Sequence, residues 1–437
     1  MPMPIARLGY HYYPDDRHFT QSDLGTWLPI LDSIGARWLT IKASASRAVP
    51  EDFLGALREA RIEPIVHIPA RVGQVELESL LPLLESYSRW GLRHVVIGDR
   101  PNLRLAWDDS AWTRSGLIER YLDLTLPILH AVRSAGLVPT LPPLEPGGDF
   151  WDTAFLEATL IALTRRNESS LLNDLTLGLY AWTYDRPLNW GVGGPERWPE
   201  ARPYRTPDDS QDQKGLHIFE WYASIASRAG GRIPQMLVIA GGDTLGQDAS
   251  AEHLQKHSER NVAIARMLEG EEFPGYVQAF SFYPLATGVH HSDFGSAWFP
   301  STQSPLPVVD AFRKFIVAPR HKSVDDHKPL RHYALLPENM ELDRLRDWEA
   351  IARFIRIERP TLGFSPLEAR LATRVTLIGD EALITETIAQ ELRDAGCKVS
   401  RLEVQPEADE KTRIRDEFIA QFLVGANHAT YTQNAQN

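Results

Sequence analysis

The residues of this chain best suited to chemistry stand just after short apolar runs. Gly9-Tyr10 leads into His11, Tyr12 and Tyr13, Thr40-Ile41 into Lys42, and Ile65-Val66 into His67. Val95-Val96-Ile97-Gly98 leads into Asp99, Arg100, Pro101 and Asn102, with Trp107 beyond. Glu145 follows a fifth run, Tyr180, Trp182, Tyr184 and Asp185 close a sixth, Asp243 follows a seventh, and Tyr283 ends an eighth. Aromatic rings with polar tips stack on the apolar faces of sugar rings, and carboxylates and imidazoles hydrogen-bond their hydroxyls. A cluster of this kind suits a carbohydrate. Asp99, Glu145, Asp185 and Asp243 are the carboxylates within it, and Asp99 and Asp243 are the candidate catalytic positions. Arg100 has two readings. It closes the rim by a salt bridge to Asp99, Asp108 or Asp109, or it clamps a planar oxyanion such as a uronic acid or a phosphate-bearing glycan.

Those positions need elements that bring them together, and the pattern supplies them. Short β-branched runs at 8–13, 36–42, 63–68, 93–98, 137–141, 175–183, 235–240 and 276–283 alternate with amphipathic stretches. The helices are expected near 23–35, 51–60, 74–90, 114–135, 152–164, 216–229, 251–268 and 307–315. Nearly continuous apolar strands belong in a parallel sheet covered on both faces. Eight such units predict an α/β fold, a (β/α)₈ TIM barrel over residues 1–318, with its chemistry at the C-terminal strand ends. Gly35, Gly91, Gly136 and Gly230 stand where left-handed helix caps are expected. A Pro-, Gly- and Trp-rich insertion at 185–212 is expected as an ordered loop over the barrel mouth. After a polar linker at 318–329, the pattern predicts a small α/β domain over 330–430, with strands at 332–337, 374–379 and 397–404 and helices at 343–355 and 381–395. The tail at 431–437 is polar.

Composition narrows the function classes. The 437 residues are 43% hydrophobic and 24% charged, with 46 Lys and Arg against 58 Asp and Glu, a net charge of −12. An acidic chain argues against nucleic acid or an anionic membrane as partner. No stretch has the ~20 apolar residues of a membrane span, and no secretory leader is visible, so a cytoplasmic location is expected, or an extracellular one if a leader has been removed. Cys397 is the single cysteine, which excludes an intrachain disulfide and a cysteine-rich metal site. His11, His67 and the His290-His291-Ser292-Asp293 cluster could meet at the mouth, but hydrogen-bonded rim histidines are expected rather than a metal site, and no cofactor is expected. The glycine pairs Gly193-Gly194 and Gly241-Gly242 read as turns, and no nucleophile elbow, phosphate loop or zinc signature occurs.

This layout resembles the clan A glycoside hydrolases, the cellulase-like and xylosidase-like barrels, over residues 8–315. The anchor is Val95-Val96-Ile97-Gly98-Asp99-Arg100-Pro101-Asn102 with Trp107. In that family Asn-Glu-Pro ends strand four and its Glu is the general acid/base, while a second Glu ends strand seven as nucleophile. The matching positions here are Asp99-Arg100-Pro101 and Ile239-Ala240-Gly241-Gly242-Asp243. A guanidinium cannot donate a proton near neutral pH, and glycoside hydrolysis needs two carboxyl groups. The resemblance therefore implies a catalytically degenerate, carbohydrate-binding barrel. It implies substrate contacts from His11, Tyr13, His67, Arg100, Asn102, Tyr180, Trp182, Tyr184, Asp185 and Tyr283. Two alternatives stand beside it: an active hydrolase with displaced carboxylates drawn from Asp99, Glu145, Asp185 and Asp243, or a structural or assembly scaffold. On this reading hydrolysis would return only with Arg100→Glu plus a second carboxylate near 240–243, such as Gly241→Glu. The small domain, through Val375-Thr376-Leu377-Ile378-Gly379-Asp380 and Gly396-Cys397-Lys398-Val399, is weakly similar to a bacterial cell-wall-binding repeat; a plain packing domain is the alternative.

Overall fold

A computed structural model describes residues 6–246, 249–270, 272–317, 328, 330–337, 351–352, 354–355, 358 and 360–402. The chain divides into two compact units, Met1–Pro319 and Arg320–Asn437.

In the first unit eight strands form one parallel sheet. They are β1 (Leu8–His11), β2 (Trp38–Lys42), β3 (Glu63–Ile68), β4 (His94–Ile97), β5 (Thr140–Leu141), β6 (Thr176–Trp182), β7 (Gln235–Gly242) and β8 (Val277–Phe282). Their spatial order is β4-β3-β2-β1-β8-β7-β6-β5. The two end strands approach through a single bridge between His94 and Val138, with Val138 N donating to Arg93 O at 2.9 Å, so the barrel is nearly closed. Helices α1 (Gln21–Ser33), α2 (Glu51–Glu59), α3 (Leu77–Arg89), α4 (Leu117–Ser134), α5 (Asp152–Arg165), α6 (Ile218–Gly230), α7 (Ala251–Glu269) and α8 (Pro307–Val317) lie between and after the strands. This is the TIM-barrel-like α/β fold that the alternating pattern predicts.

The apolar alternation explains the two cores. Ile65, Val96, Leu237, Ile239 and Ala279 point into the barrel and pack with Tyr180. The intervening residues, among them Tyr10, Leu39, Val66 and Phe282, face the helices in a much larger core. Thr40 and Ser281 hydrogen-bond to each other at 2.8 Å and leave no orphan hydroxyl between β2 and β8.

Three details depart from the pattern. β5 keeps two residues rather than the five expected: the three lost, 137–139, are at its start, where Pro139 has no N–H for a ladder. β7 runs on to Gly242, and its register against β6 shifts between Leu179 and Tyr180, leaving Ile239 as an extra residue opposite. The bulge is on β7 and bends the end of that strand. The left-handed cap after α6 falls on Gly231 at φ 74°, one residue beyond Gly230, whereas Gly35, Gly91 and Gly136 have the positive φ expected of them.

The second unit holds a four-stranded parallel sheet in the order β10-β9-β11-β12: β9 (Leu330–Leu335), β10 (Thr361–Gly363), β11 (Ala372–Ile378) and β12 (Lys398–Leu402). Helix α9 (Glu386–Asp394) covers it with Ala389 and Leu392. The sequence pattern misses β10, which is too short for any alternation to show. Most of the helix expected at 343–355, most of the linker at 318–329, residues 403 and 404 of the last strand, and the tail at 431–437 lie outside the described residues.

Candidate functional site

The barrel interior ends, at its C-terminal mouth, in a continuous run of rings. His11 meets Tyr283 edge-on at 4.9 Å, Tyr283 meets Trp182 edge-on at 5.5 Å, and Trp182 stacks on Tyr180 at 5.8 Å and 19°. Strand periodicity places them there: His11 ends β1, Tyr180 and Trp182 share one face of β6, and Tyr283 follows β8. Tyr283 donates to Asp293 at 2.5 Å. Asp293 belongs to the His290-His291-Ser292-Asp293 cluster expected near the mouth, and it comes there as the hydrogen-bond partner of Tyr283.

Against this wall stands a charged group. Tyr180 donates to Asp99 Oδ1 at 2.7 Å, and the Arg100 guanidinium lies 4.8 Å above the Tyr180 ring. Arg100 Nε is 3.6 Å from Asp99 and 3.3 Å from Glu145, yet has no hydrogen-bonded partner. The backbone makes this possible by an unusual turn: Gly98 has φ 100° and Arg100 φ 46°, and Arg100 N donates to Pro143 O at 2.9 Å. A left-handed non-glycine residue stores strain that clusters at functional sites. Burial opposes charge on Arg100, but Tyr180, Asp99 and Glu145 hold its pKa above the ordinary arginine value. Burial lifts the Glu145 carboxyl, Arg100 pulls it down and Asp99 pushes it up, with a net rise. Both readings of Arg100 thus start from an existing ion pair with two carboxylates.

The two histidines face the same interior. Burial lowers His11 to about 3, helped by His67, Lys42 and His291 nearby, and leaves its Nδ1 without a hydrogen-bond partner. His67 Nε2 contacts Gly98 O at 3.0 Å, and burial lowers its pKa despite Asp99. Both imidazoles are neutral at pH 7, able to donate from one nitrogen and accept at the other. Beyond the ends of β1 and β2, a cleft of about 440 Å³ opens between Pro14, Asp15, Asp16, Arg17, Lys42, Ser44 and Pro69. Lys42 Nζ donates to Pro14 O at 2.8 Å on its wall.

The remaining expected residues are placed elsewhere or serve other ends. Asn102 is fully buried and its amide is used up on the backbone of Glu145 and Phe150. Asp243 accepts from Thr183 at 2.5 Å and from Arg260 at 2.6 Å, an ion pair fastening the end of β7 to α7. Tyr13 stacks on His18 at 3.7 Å and packs edge-on against Trp27, beside the N-terminal helix. Asp185 is an exposed rim carboxylate paired with Lys256 at 2.5 Å. Tyr184 is on the rim, left-handed at φ 48°, with Glu145 and Arg100 near enough to bias its hydroxyl. The structure therefore gathers His11, His67, Asp99, Arg100, Tyr180, Trp182, Tyr283 and Glu145, and does not bring Asp243, Asn102, Tyr13 or Asp185 into that group.

No group of three or more His, Cys, Asp or Glu side chains able to hold a metal occurs among the described residues. No helix among them is long and apolar enough to cross a membrane.

The barrel is similar to those of several glycoside hydrolases. It aligns with a family GH128 (subgroup I) endo-β-1,3-glucanase from Amycolatopsis mediterranei in complex with laminarihexaose, at 12% identity and a TM-score of 0.41, over 70% of this chain and 98% of that one. A GH128 (subgroup II) endo-β-1,3-glucanase from Sorangium cellulosum aligns at 14% identity and 0.41, over 72% and 99%. A family 39 glycoside hydrolase from Bacteroides cellulosilyticus aligns at 11% and 0.49, over 71% and 63%. No family model matches this sequence, and no curated protein matches it. Identities this low assign no role to any residue.

Proposed function

We propose that the mouth of the barrel binds a carbohydrate and does not hydrolyse it. The observation that carries the binding is the unbroken aromatic wall His11–Tyr283–Trp182–Tyr180, bordered by groups that donate and accept hydrogen bonds. Trp182 and Tyr283, the half-buried rings of that wall, offer apolar surface for sugar C–H groups, and the polar border suits ring hydroxyls.

The end of β7 argues against hydrolysis. A Cβ on Gly241 would lie 2.6 Å from Ala181 O, and one on Gly242 would lie 2.7 Å from Asn261 Oδ1. At Gly241 no longer side chain fits without moving backbone, and at Gly242, with φ 103°, a side chain would be strained and would have to displace the side chains of Asn261 and Phe282. On the resemblance to the clan A hydrolases, Arg100 stands for the proton donor after β4, and its permanent charge cannot serve that role.

A second reading has one specific observation in its favour. Asp99 and Glu145 flank Arg100, and Glu145 is raised by burial, as a general acid must be. This is the displaced-carboxylate hydrolase.

Isothermal titration with soluble β-glucans, xylans and chito-oligosaccharides, run beside turnover of aryl β-glycosides and the same glycans, separates the readings. Binding without turnover is the expected outcome. Turnover abolished by Glu145→Gln or Asp99→Asn establishes the hydrolase instead. Neither binding nor turnover leaves the barrel as a scaffold.

A further inference from the structure

The insertion after β6 carries a tyrosine in a place that its backbone disfavours. Arg202 N donates to Arg205 O at 2.9 Å and Arg205 N returns the bond at 3.0 Å, closing a two-residue turn over Pro203 and Tyr204. Tyr204 has φ 63°. With Pro second and a positive φ third, this position ordinarily takes Gly or Asn. An aromatic residue there is strained, and its ring recovers little by burial because 63% of the residue stays exposed.

The ring is nevertheless held still. The Tyr204 hydroxyl accepts from Trp151 N at 2.9 Å and donates to Asp149 O at 3.1 Å. Its ring leans on Trp151 at 5.2 Å and 54°. The loop beneath is itself tied down: Asp149 Oδ2 accepts from Arg104 N at 2.8 Å, and Phe150 O accepts from Asn102 at 2.9 Å. That same loop begins at Glu145, beside Arg100. Glu145 and Trp151 are six positions apart, so their Cα atoms are at most ~20 Å from each other, and the exposed ring rests on Trp151.

We propose that Tyr204, backed by Trp151, is a second stacking position for the glycan, and that the ligand is therefore an oligosaccharide running from the barrel mouth across the 145–151 loop. The inference rests on the reading of the mouth as a carbohydrate site. A fixed, solvent-facing ring binds a sugar face without first losing rotamer freedom, which is what preorganisation supplies. A tyrosine whose work was only to fasten two loops could do so in a relaxed turn with its ring covered.

The test uses the full chain and compares dimers with hexamers of β-linked gluco-, xylo- and chito-oligosaccharides by titration calorimetry. Affinity of the wild type is expected to rise with chain length. Tyr204→Ala is expected to weaken the hexamer about tenfold while leaving the dimer unchanged. Tyr204→Phe, which keeps the ring and loses the two hydroxyl bonds that fix it, should weaken the hexamer less than Tyr204→Ala does and leave the dimer unchanged. Thermal melts of each variant separate lost folding from lost stacking. Binding that ignores chain length, or a Tyr204→Ala loss equal for dimer and hexamer, overturns the second position while leaving the mouth intact. Absence of binding to every oligomer overturns the carbohydrate reading itself, and this inference with it.

Discussion

Asn102 and Glu145, 43 residues apart, are joined by a two-point clamp: Asn102 Nδ2 donates to Glu145 O at 2.8 Å, and Glu145 N donates to Asn102 Oδ1 at 2.8 Å. The second Nδ2 hydrogen goes to Phe150 O at 2.9 Å. Asn102 thus does for the loop after β5 what a strand neighbour would do, at the one place where the sheet barely closes. Asn102→Ala takes the side-chain partner from two part-buried backbone groups, Glu145 N and Phe150 O, while Glu145 O keeps Gly148 N at 3.0 Å. At ~1–3 kcal/mol for such a loss, partly relieved by water, the variant should lose roughly 2–4 kcal/mol of stability. Urea unfolding checks this, and an unchanged midpoint would contradict the clamp.

Hydrolysis should not return by rebuilding the carboxylate pair at the strand ends. Arg100→Glu sets a third carboxylate beside Asp99 and Glu145, where like charges disfavour ionisation. Gly241→Glu, which the sequence suggests as the partner change, meets the Ala181 carbonyl at Cβ and should unfold or distort the barrel. Turnover of aryl β-glycosides by the folded double variant would refute this.

Trp182 lies between Tyr180 and Tyr283 and is only partly buried. Its replacement by Ala should lower glycan affinity about tenfold, more than it lowers the melting temperature in proportion. Titration of wild type and variant with the same oligosaccharide measures the difference.

Acid should destabilise the barrel through its buried histidines. Burial lowers His11 to about 3 and His94 and His257 to about 4, against 6.5 for the exposed group. The unfolded chain therefore takes up protons first, so their contribution is complete above pH 6.5 and is lost as pH falls towards 4. The His257 ring is buried, and Asp243 beside it only partly offsets the burial. His257→Phe should flatten the acid side of a plot of melting temperature against pH.

Asp152 has the opposite sign. Burial raises it to about 6 from 3.8, although Gly147 N, Gln213 and Tyr222 donate to it. Its contribution is greatest below pH 3.8 and is lost as pH rises through 6, at most about 3 kcal/mol. Asp152→Asn should gain stability relative to the wild type between pH 5 and pH 8, and a constant difference across that range would contradict the raised pKa.

Alternation and turn residues suffice to specify the barrel because each strand and helix carries its own period. Glu63–Ile68 reads as a doubly covered strand, and Glu51–Glu59 as an amphipathic helix, without reference to anything distant. Strand ends follow from the same reading, so the meeting of His11, His67, Asp99, Tyr180, Trp182 and Tyr283 at one mouth was legible. What each side chain does there was not. Asp243 and Asp99 look alike as carboxylates after an apolar run, yet Arg260 from α7 claims the first and Tyr180 from β6 the second. Asn102 looks like a rim donor until the loop after β5 takes all its hydrogen bonds. A partner brought from 17 to 81 residues away leaves no local period in the chain. Hydrogen bonding and ion pairing at the site therefore belong to the tertiary structure, while the scaffold that carries them is written in the pattern of apolar residues.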